Sequence, residues 1–167
     1  MLVECGLSPA ILADEATGEG AAEIWVARAV PESINNNADH AAGGIKLTPP
    51  PGGLSARLFA VAPGEGPPAD FSAAREAARA AYAAIEGEGA LIDSSRHPAM
   101  HRTETLDLVV VVQGELTLIL DDGEAVLRPG DTVIQCGTAH AWENRGEDLA
   151  VGFVVLIDAA EAGAHIR

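Results

Sequence analysis

The chain has 167 residues, the size of one domain. An apolar content of 48 % supports a buried core and excludes wholesale disorder, and with only 4 % aromatics that core must be aliphatic. Ten basic against 25 acidic side chains leave a formal charge of −15, which repels phosphate backbones and anionic lipid and so excludes nucleic acid and membranes as partners.

Residues 1–55 are weakly patterned and predict an N-terminal wrapping segment with one strand, at 23–30. A polar stretch at 35–40 follows, then Pro49, Pro50, Pro51, Gly52 and Gly53, an extended piece with a sharp exit. Residues 56–98 open with a short strand at 56–61 and a Pro/Gly breaker at 63–68. The clearest helix comes next, at 70–86. Asp70 or Ser72 suits its first amides and Gly87 its stop. Phe71, Ala74, Ala78, Tyr82 and Ile85 share one face, with Arg75, Glu76, Arg79 and Glu86 largely opposite. The sequence leaves open whether this helix covers the pocket, braces the barrel's outside or joins two protomers; so thin a stripe of small residues favours the last two, and no catalytic role.

Residues 99–158 read as β throughout, with strands at 106–112, 115–120, 124–127, 132–135 and 149–157 and a loop carrying His140; 159–167 is a tail. Asp121-Asp122-Gly123 signals a hairpin, Pro129-Gly130 a type II turn, and residues 144–148 a further turn. Short strands, tight turns and no crossover helices predict an all-β antiparallel sandwich or barrel. Several strands are apolar on both faces, so one face needs a cover, and a homodimer is expected. The first residues lack the basic start and apolar stretch of a signal peptide, no run approaches a membrane span, and two cysteines (Cys5 and Cys136) make no disulfide framework. A cytoplasmic protein is expected.

Two segments resemble the motifs of small single-domain cupins of the cupin 2 conserved barrel type. One is Met100-His101-Arg102-Thr103-Glu104-Thr105-Leu106-Asp107 with Gly114-Glu115. The other is Arg128-Pro129-Gly130-Asp131 with Gly137-Thr138-Ala139-His140-Ala141-Trp142-Glu143-Asn144. The resemblance covers residues 97–159 and implies a double-stranded β-helix, the jelly-roll barrel, within a single domain over 1–167. Metal-binding cupins carry His-x-His, then Glu, then Gly in the first motif. Here His101 holds the first histidine position, Thr103 the second, and Asp107 the glutamate position counted back from Gly114. Gln135 stands near the usual proline of the second motif, and the interval from Gly130 is one residue shorter.

Strand positions an even number apart face one side, so His101, Thr103 and Asp107 share an interior, and the resemblance brings His140 to the same space. Two imidazoles and a carboxylate make an open site for a divalent transition metal, Fe, Mn, Ni or Zn, with His97 an extra candidate of the same parity. Thr103, Gln135 and Trp142 would shape the substrate pocket, and no organic cofactor is implied. Two readings stay open. One is a metal-dependent enzyme for a small organic molecule, of dioxygenase, isomerase or decarboxylase type. The other is a metal-free barrel, ligand-binding or structural, in which His101, Asp107 and His140 hydrogen-bond one another. Glu104 and Arg102 read as surface, Met100 as pocket lining, Cys136 as an inert thiol and Asn144 as a turn former. His40 and His165 read as solvated.

Overall fold

The computed structural model describes residues 10–29, 40–64 and 68–160. Cys5, Val30, the 35–39 stretch, residues 65–67 of the breaker and the end of the tail with His165 lie outside the described residues. The elements are β1 (Ala10–Ala13), β2 (Gly20–Ala27), β3 (Leu54–Val61), α1 (Phe71–Ala83), β4 (Thr105–Gln113), β5 (Leu116–Leu120), β6 (Gly123–Leu127), β7 (Thr132–Cys136), β8 (His140–Glu143) and β9 (Ala150–Asp158). They form a six-stranded sheet in the order β1-β2-β3-β9-β4-β7 and a three-stranded sheet β6-β5-β8, antiparallel throughout. The mostly β, double-stranded β-helix architecture is the one the sequence implies.

Local chemistry explains most boundaries. At the Pro129-Gly130 turn Gly130 takes φ 94, the Asp131 amide donates to the Arg128 carbonyl at 2.9 Å, and the Asp131 carboxylate accepts from the Arg128 amide at 2.8 Å. Gly114, at φ 70, lets the β4–β5 turn press on Ala150, where a Cβ would sit 2.8 Å from the Cα. Two strands precede residue 55 where one was expected. β1 and β2 form a hairpin whose turn is held by Asp14, its carboxylate accepting from the amides of Ala16 and Thr17 at 2.9 and 2.8 Å. The expected 23–30 strand therefore starts earlier, at Gly20. His140 lies on β8 and not in a loop.

In the larger sheet burial alternates along each strand. Thr105, Asp107, Val109 and Val111 of β4 turn inward, and so do Ala150, Gly152, Val154 and Leu156 of β9. Apolar packing gathers in three small clusters: Met100 with Ile119 and Ala141, Val109 with Val154 and Leu156, and Val111 with Leu116 and Ala150. Space remains between them.

Helix α1 closes that space. The Asp70 carboxylate caps it, accepting from the Ala73 amide at 2.9 Å. Its end comes sooner than expected, at Ala83. Glu86 turns to φ 55 and the Gly87 amide returns to the Tyr82 carbonyl at 2.7 Å. Gly87 is required by proximity, since a Cβ there would lie 2.7 Å from the Leu47 side chain. Ala74, Ala78, Tyr82 and Ile85 line the interior space, so the helix roofs the barrel and does not brace its outside. Arg75, expected on the far face, pins the roof by donating to the carbonyls of Pro98, at 2.5 Å, and Ile92. Phe71 is exposed. No helix among the described residues is long and apolar enough to cross a membrane.

Candidate active-site cavity

The roofed space is a cavity of about 820 Å³, within the range of small-molecule sites. Val109, Val154, Leu156, Phe59 and Trp142 give it an apolar floor and wall, and alanines of α1 give it a smooth roof. Trp142 stands at 5.6 Å from the Phe59 ring and edge-on to His140 at 6.2 Å. Its polar lining comprises Arg57, Tyr82, His101, Thr103, Asp107, Gln135 and His140, with Asp14, Thr17 and Glu19 contributed by the β1–β2 hairpin turn.

His101 and His140 are brought together by the backbone. Each donates its amide to the other's carbonyl at 2.9 Å, which brings the ring centroids to 4.2 Å with the planes tilted by 50°. His140 Nδ1 lies 2.9 Å from the Thr138 carbonyl, and His101 Nδ1 lies 3.1 Å from the Ala99 carbonyl and 2.8 Å from the Tyr82 hydroxyl. At His140 the carbonyl only accepts, so Nδ1 carries the ring proton and Nε2 is left as a lone pair with no hydrogen bond to a described residue. At His101 the Tyr82 hydroxyl and the Ala99 carbonyl share Nδ1, and the tautomer sets which of the two it serves. Burial, and then the neighbouring His140, push His101 down to about 3. Burial lowers His140 too, against the pull of the Thr138 carbonyl. Both rings are neutral at neutral pH, and His101 is too weak a base to collect a proton there. The chemical asset of the pair is two neutral imidazoles held in place.

Asp107 does not join them. Among the described residues no three His, Cys, Asp or Glu side chains lie close enough to share a metal ion. The Asp107 carboxylate is buried beside Thr105 and Arg57, which partly offset the upward pull of burial on its pKa, and its Oδ1 has no partner. Thr103, at the usual second-histidine position, spends its hydroxyl on Thr105 at 2.7 Å. The three-ligand site that the resemblance implies therefore does not fit this arrangement, whereas two neutral imidazoles anchored at Nδ1 have the chemistry of a ligand pair.

The remaining expected residues divide. Gln135 lines the cavity opposite Asp107 in register and donates to the Thr138 hydroxyl at 2.5 Å. Trp142 lines it as well. His97 does not: residues 97–100 turn, with the Met100 amide on the His97 carbonyl at 3.1 Å, so the parity argument fails for want of an extended strand. Met100 is fully buried core and not lining. Glu104 and Arg102 are exposed, as is the Cys136 thiol. Asn144 is a turn former that also braces strands, donating to the Val61 and Asp148 carbonyls at 2.9 and 2.8 Å.

Three functional-site residues were not anticipated: Tyr82, Arg57 and Glu23. Arg57 and Glu23 face each other across β2 and β3, with Nη2 and Oε2 3.2 Å apart and both side chains almost wholly buried. Arg57 Nη2 also donates to Ser55 at 2.8 Å. Burial pulls the Arg57 pKa down and the Glu23 pKa up, and their mutual attraction opposes both shifts. Opposite charges at inward positions of two neighbouring strands were the available signal. For Tyr82 it was the chain's single tyrosine set in a stripe of alanines.

Residues 92–157 match the cupin domain family Cupin_2. A 59-residue stretch, 35 % of this chain, is 53 % identical to 31 % of Phomopsin biosynthesis cluster protein C' of Diaporthe leptostromiformis. A 46-residue stretch, 27 % of this chain, is 48 % identical to 24 % of the cupin-domain-containing oxidoreductase virC of Hypocrea virens. The matched stretch thus spans less than a third of the length of these curated relatives. Among solved structures, a Cupin 2 conserved barrel domain protein from Salinispora arenicola aligns with TM-score 0.50 and 15 % identity, over 95 % of this chain and 90 % of that one.

Proposed function

The chain carries a cupin barrel, and from that premise we propose that it is an enzyme acting on a small, largely apolar organic molecule held beneath α1. The observation that carries this reading is the apolar cavity of about 820 Å³ with the neutral imidazoles of His101 and His140 at its wall. The names of the curated relatives, among them cupin-domain-containing oxidoreductases, support oxidation–reduction as the reaction class. Tyr82 and the Ala99 and Thr138 carbonyls hold the rings, the apolar walls exclude water, and Trp142 and Phe59 offer faces for an apolar or aromatic body. The test is binding of a neutral apolar dye such as Nile red. Its fluorescence should rise with the wild-type chain and stay flat with Ala78→Phe, which fills the roof. An equal rise with both would overturn the reading.

A second reading has one favouring observation, two neighbouring neutral imidazoles each anchored at Nδ1: a divalent transition metal held by His101 and His140, without Asp107. Bound there it would supply Lewis acidity to a ligand oxygen. Protein purified without chelator should then contain Fe, Mn, Ni or Zn near stoichiometry and lose it in His140→Ala. A metal-free preparation whose melting temperature does not move with any of the four ions would overturn it.

The barrel's outer face supports a homodimer within the same reading. The outward positions of β3, β4, β7 and β9 carry no charged side chain in a molecule of formal charge −15, so two acidic copies repel one another least there.

A further inference from the structure

Arg57 and Asp107 both line the cavity, both are only 5 % exposed, and each leaves one buried polar atom without a partner, Nε of Arg57 and Oδ1 of Asp107. Their positions follow from register. Arg57 lies opposite Val154, and Asp107 opposite Leu156, so the two approach from either side of β9, their strands about 9.6 Å apart. Val154 and Leu156, buried and apolar, floor the gap between them. Arg57 pairs with Glu23 and not with Asp107. The Asp107 carboxylate nonetheless feels the guanidinium charge.

A fixed N–H donor and a fixed carboxylate acceptor, separated by an apolar floor, ask for a particular partner. Buried polar atoms are nearly always hydrogen-bonded, by protein, water or ligand. Whatever displaces water here must both accept from Arg57 and donate to Asp107. Charge narrows the class further. An anion would share the cavity with the carboxylates of Asp107, Asp14 and Glu19, and a cation would sit against Arg57, contacts that are costly away from bulk water. We infer that Arg57 and Asp107 bind the polar end of a neutral ligand that carries a hydrogen-bond donor beside an acceptor on an apolar body: a lactam, a primary amide or an α-hydroxyketone. The inference rests on the cavity reading above and names the substrate class for the same site. Asp107, at the position where the resemblance expects a metal ligand, serves here as a specificity-determining residue.

The experiment is calorimetric titration of the full chain with four probes: benzamide, N,N-dimethylbenzamide, benzoate and toluene. Benzamide offers the donor–acceptor pair, its dimethyl derivative lacks the donor, benzoate is an anion, and toluene has only the body. Benzamide should bind about tenfold more tightly than each of the other three, the difference that one or two well-made hydrogen bonds confer. In Asp107→Ala the preference for benzamide over the dimethyl compound should disappear. In Arg57→Lys, which keeps a cation beside Glu23 but removes Nε, benzamide should weaken about fivefold. The wild-type ranking needs no variant to fold. Benzoate or dimethylbenzamide binding as tightly as benzamide overturns the inference while leaving the cavity reading intact, as does an unchanged preference in Asp107→Ala. Failure of all four probes, toluene included, overturns both.

Discussion

The inner face of the six-stranded sheet sets buried polar side chains among its apolar ones, and the outer face exposes apolar ones. The inner face carries Glu23, Arg57, Asp107 and Gln135, each 5 % exposed or less. The outer face exposes Ile134 at 60 %, Val112 at 53 %, Trp25 at 41 % and Leu108 at 39 %. Register makes the outer residues a row: Ile134 lies beside Leu108, Leu108 beside Val155, Val155 beside Ala56, and Ala56 beside Trp25. A sheet selected for stability alone would keep charges out of its core and apolar side chains out of water. The buried charges are what the proposed ligand requires, and the exposed apolar row is what the proposed homodimer requires.

The comparison breaks most visibly if the buried charges are disturbed. Arg57→Met strands the Glu23 carboxylate and should lower stability by about 3–5 kcal/mol in urea denaturation, whereas Arg57→Met with Glu23→Leu should recover most of that loss. A double variant no better than the single one would show that the pair is not an isolated unit.

Acid should act next. His101 titrates near 3 when folded and near 6.5 when unfolded, so as pH falls the unfolded chain takes up its proton first. The stability this ring contributes is intact above about pH 6.5 and is lost as pH falls toward 3. By pH 5 the loss is roughly 2 kcal/mol, and the lowered pKa of His140 adds to it. Asp107, whose pKa is raised, works in the opposite sense at the lower pH of carboxylate titration. Thermal melts of chelator-treated protein between pH 7 and 5 measure the fall, and His101→Phe should flatten it.

Smaller effects sharpen the picture at the roof and on the exterior. Tyr82→Phe removes the hydroxyl at His101 Nδ1 and should cost about 1 kcal/mol in thermal or urea melts, with the roof still in place. On the outer face, Leu108→Lys with Ile134→Lys should change the stability of the monomer by only about 0.5 kcal/mol per substitution, since both are exposed. The same pair of changes should convert a dimer to a monomer in light scattering. A wild-type chain that is monomeric at high concentration contradicts the homodimer proposal.

Much of this architecture was legible in the residues. Pro129-Gly130, Gly114 and the Asp70 cap read as what they are, because each acts through backbone conformation and neighbours in sequence. Parity along residues 101–107 put Asp107 and Thr103 inside and Glu104 outside, as the burial of these residues shows. His97 failed the same test because a turn at 97–100 ended the period-two pattern on which the test relies. The β1–β2 hairpin escaped notice since its turn is closed by Asp14 side-chain bonds and not by a glycine pair. The cavity residues Arg57 and Tyr82 went unremarked because what matters about them lies on other strands and helices: Glu23 across β2, His101 beyond the roof.

The sequence by itself determined the strand periods, the turns, the acidic surface and the cupin motifs, since these depend on side-chain alternation, on φ preferences and on counting charges. Only the tertiary structure decided that α1 roofs the barrel, that His101 and His140 come together while Asp107 stays apart from them, and that Arg57 and Glu23 pair on the inner face of the large sheet. Those outcomes depend on which strands become neighbours and on how far a side chain of given length can reach across them, quantities that arise only when the sheet has closed.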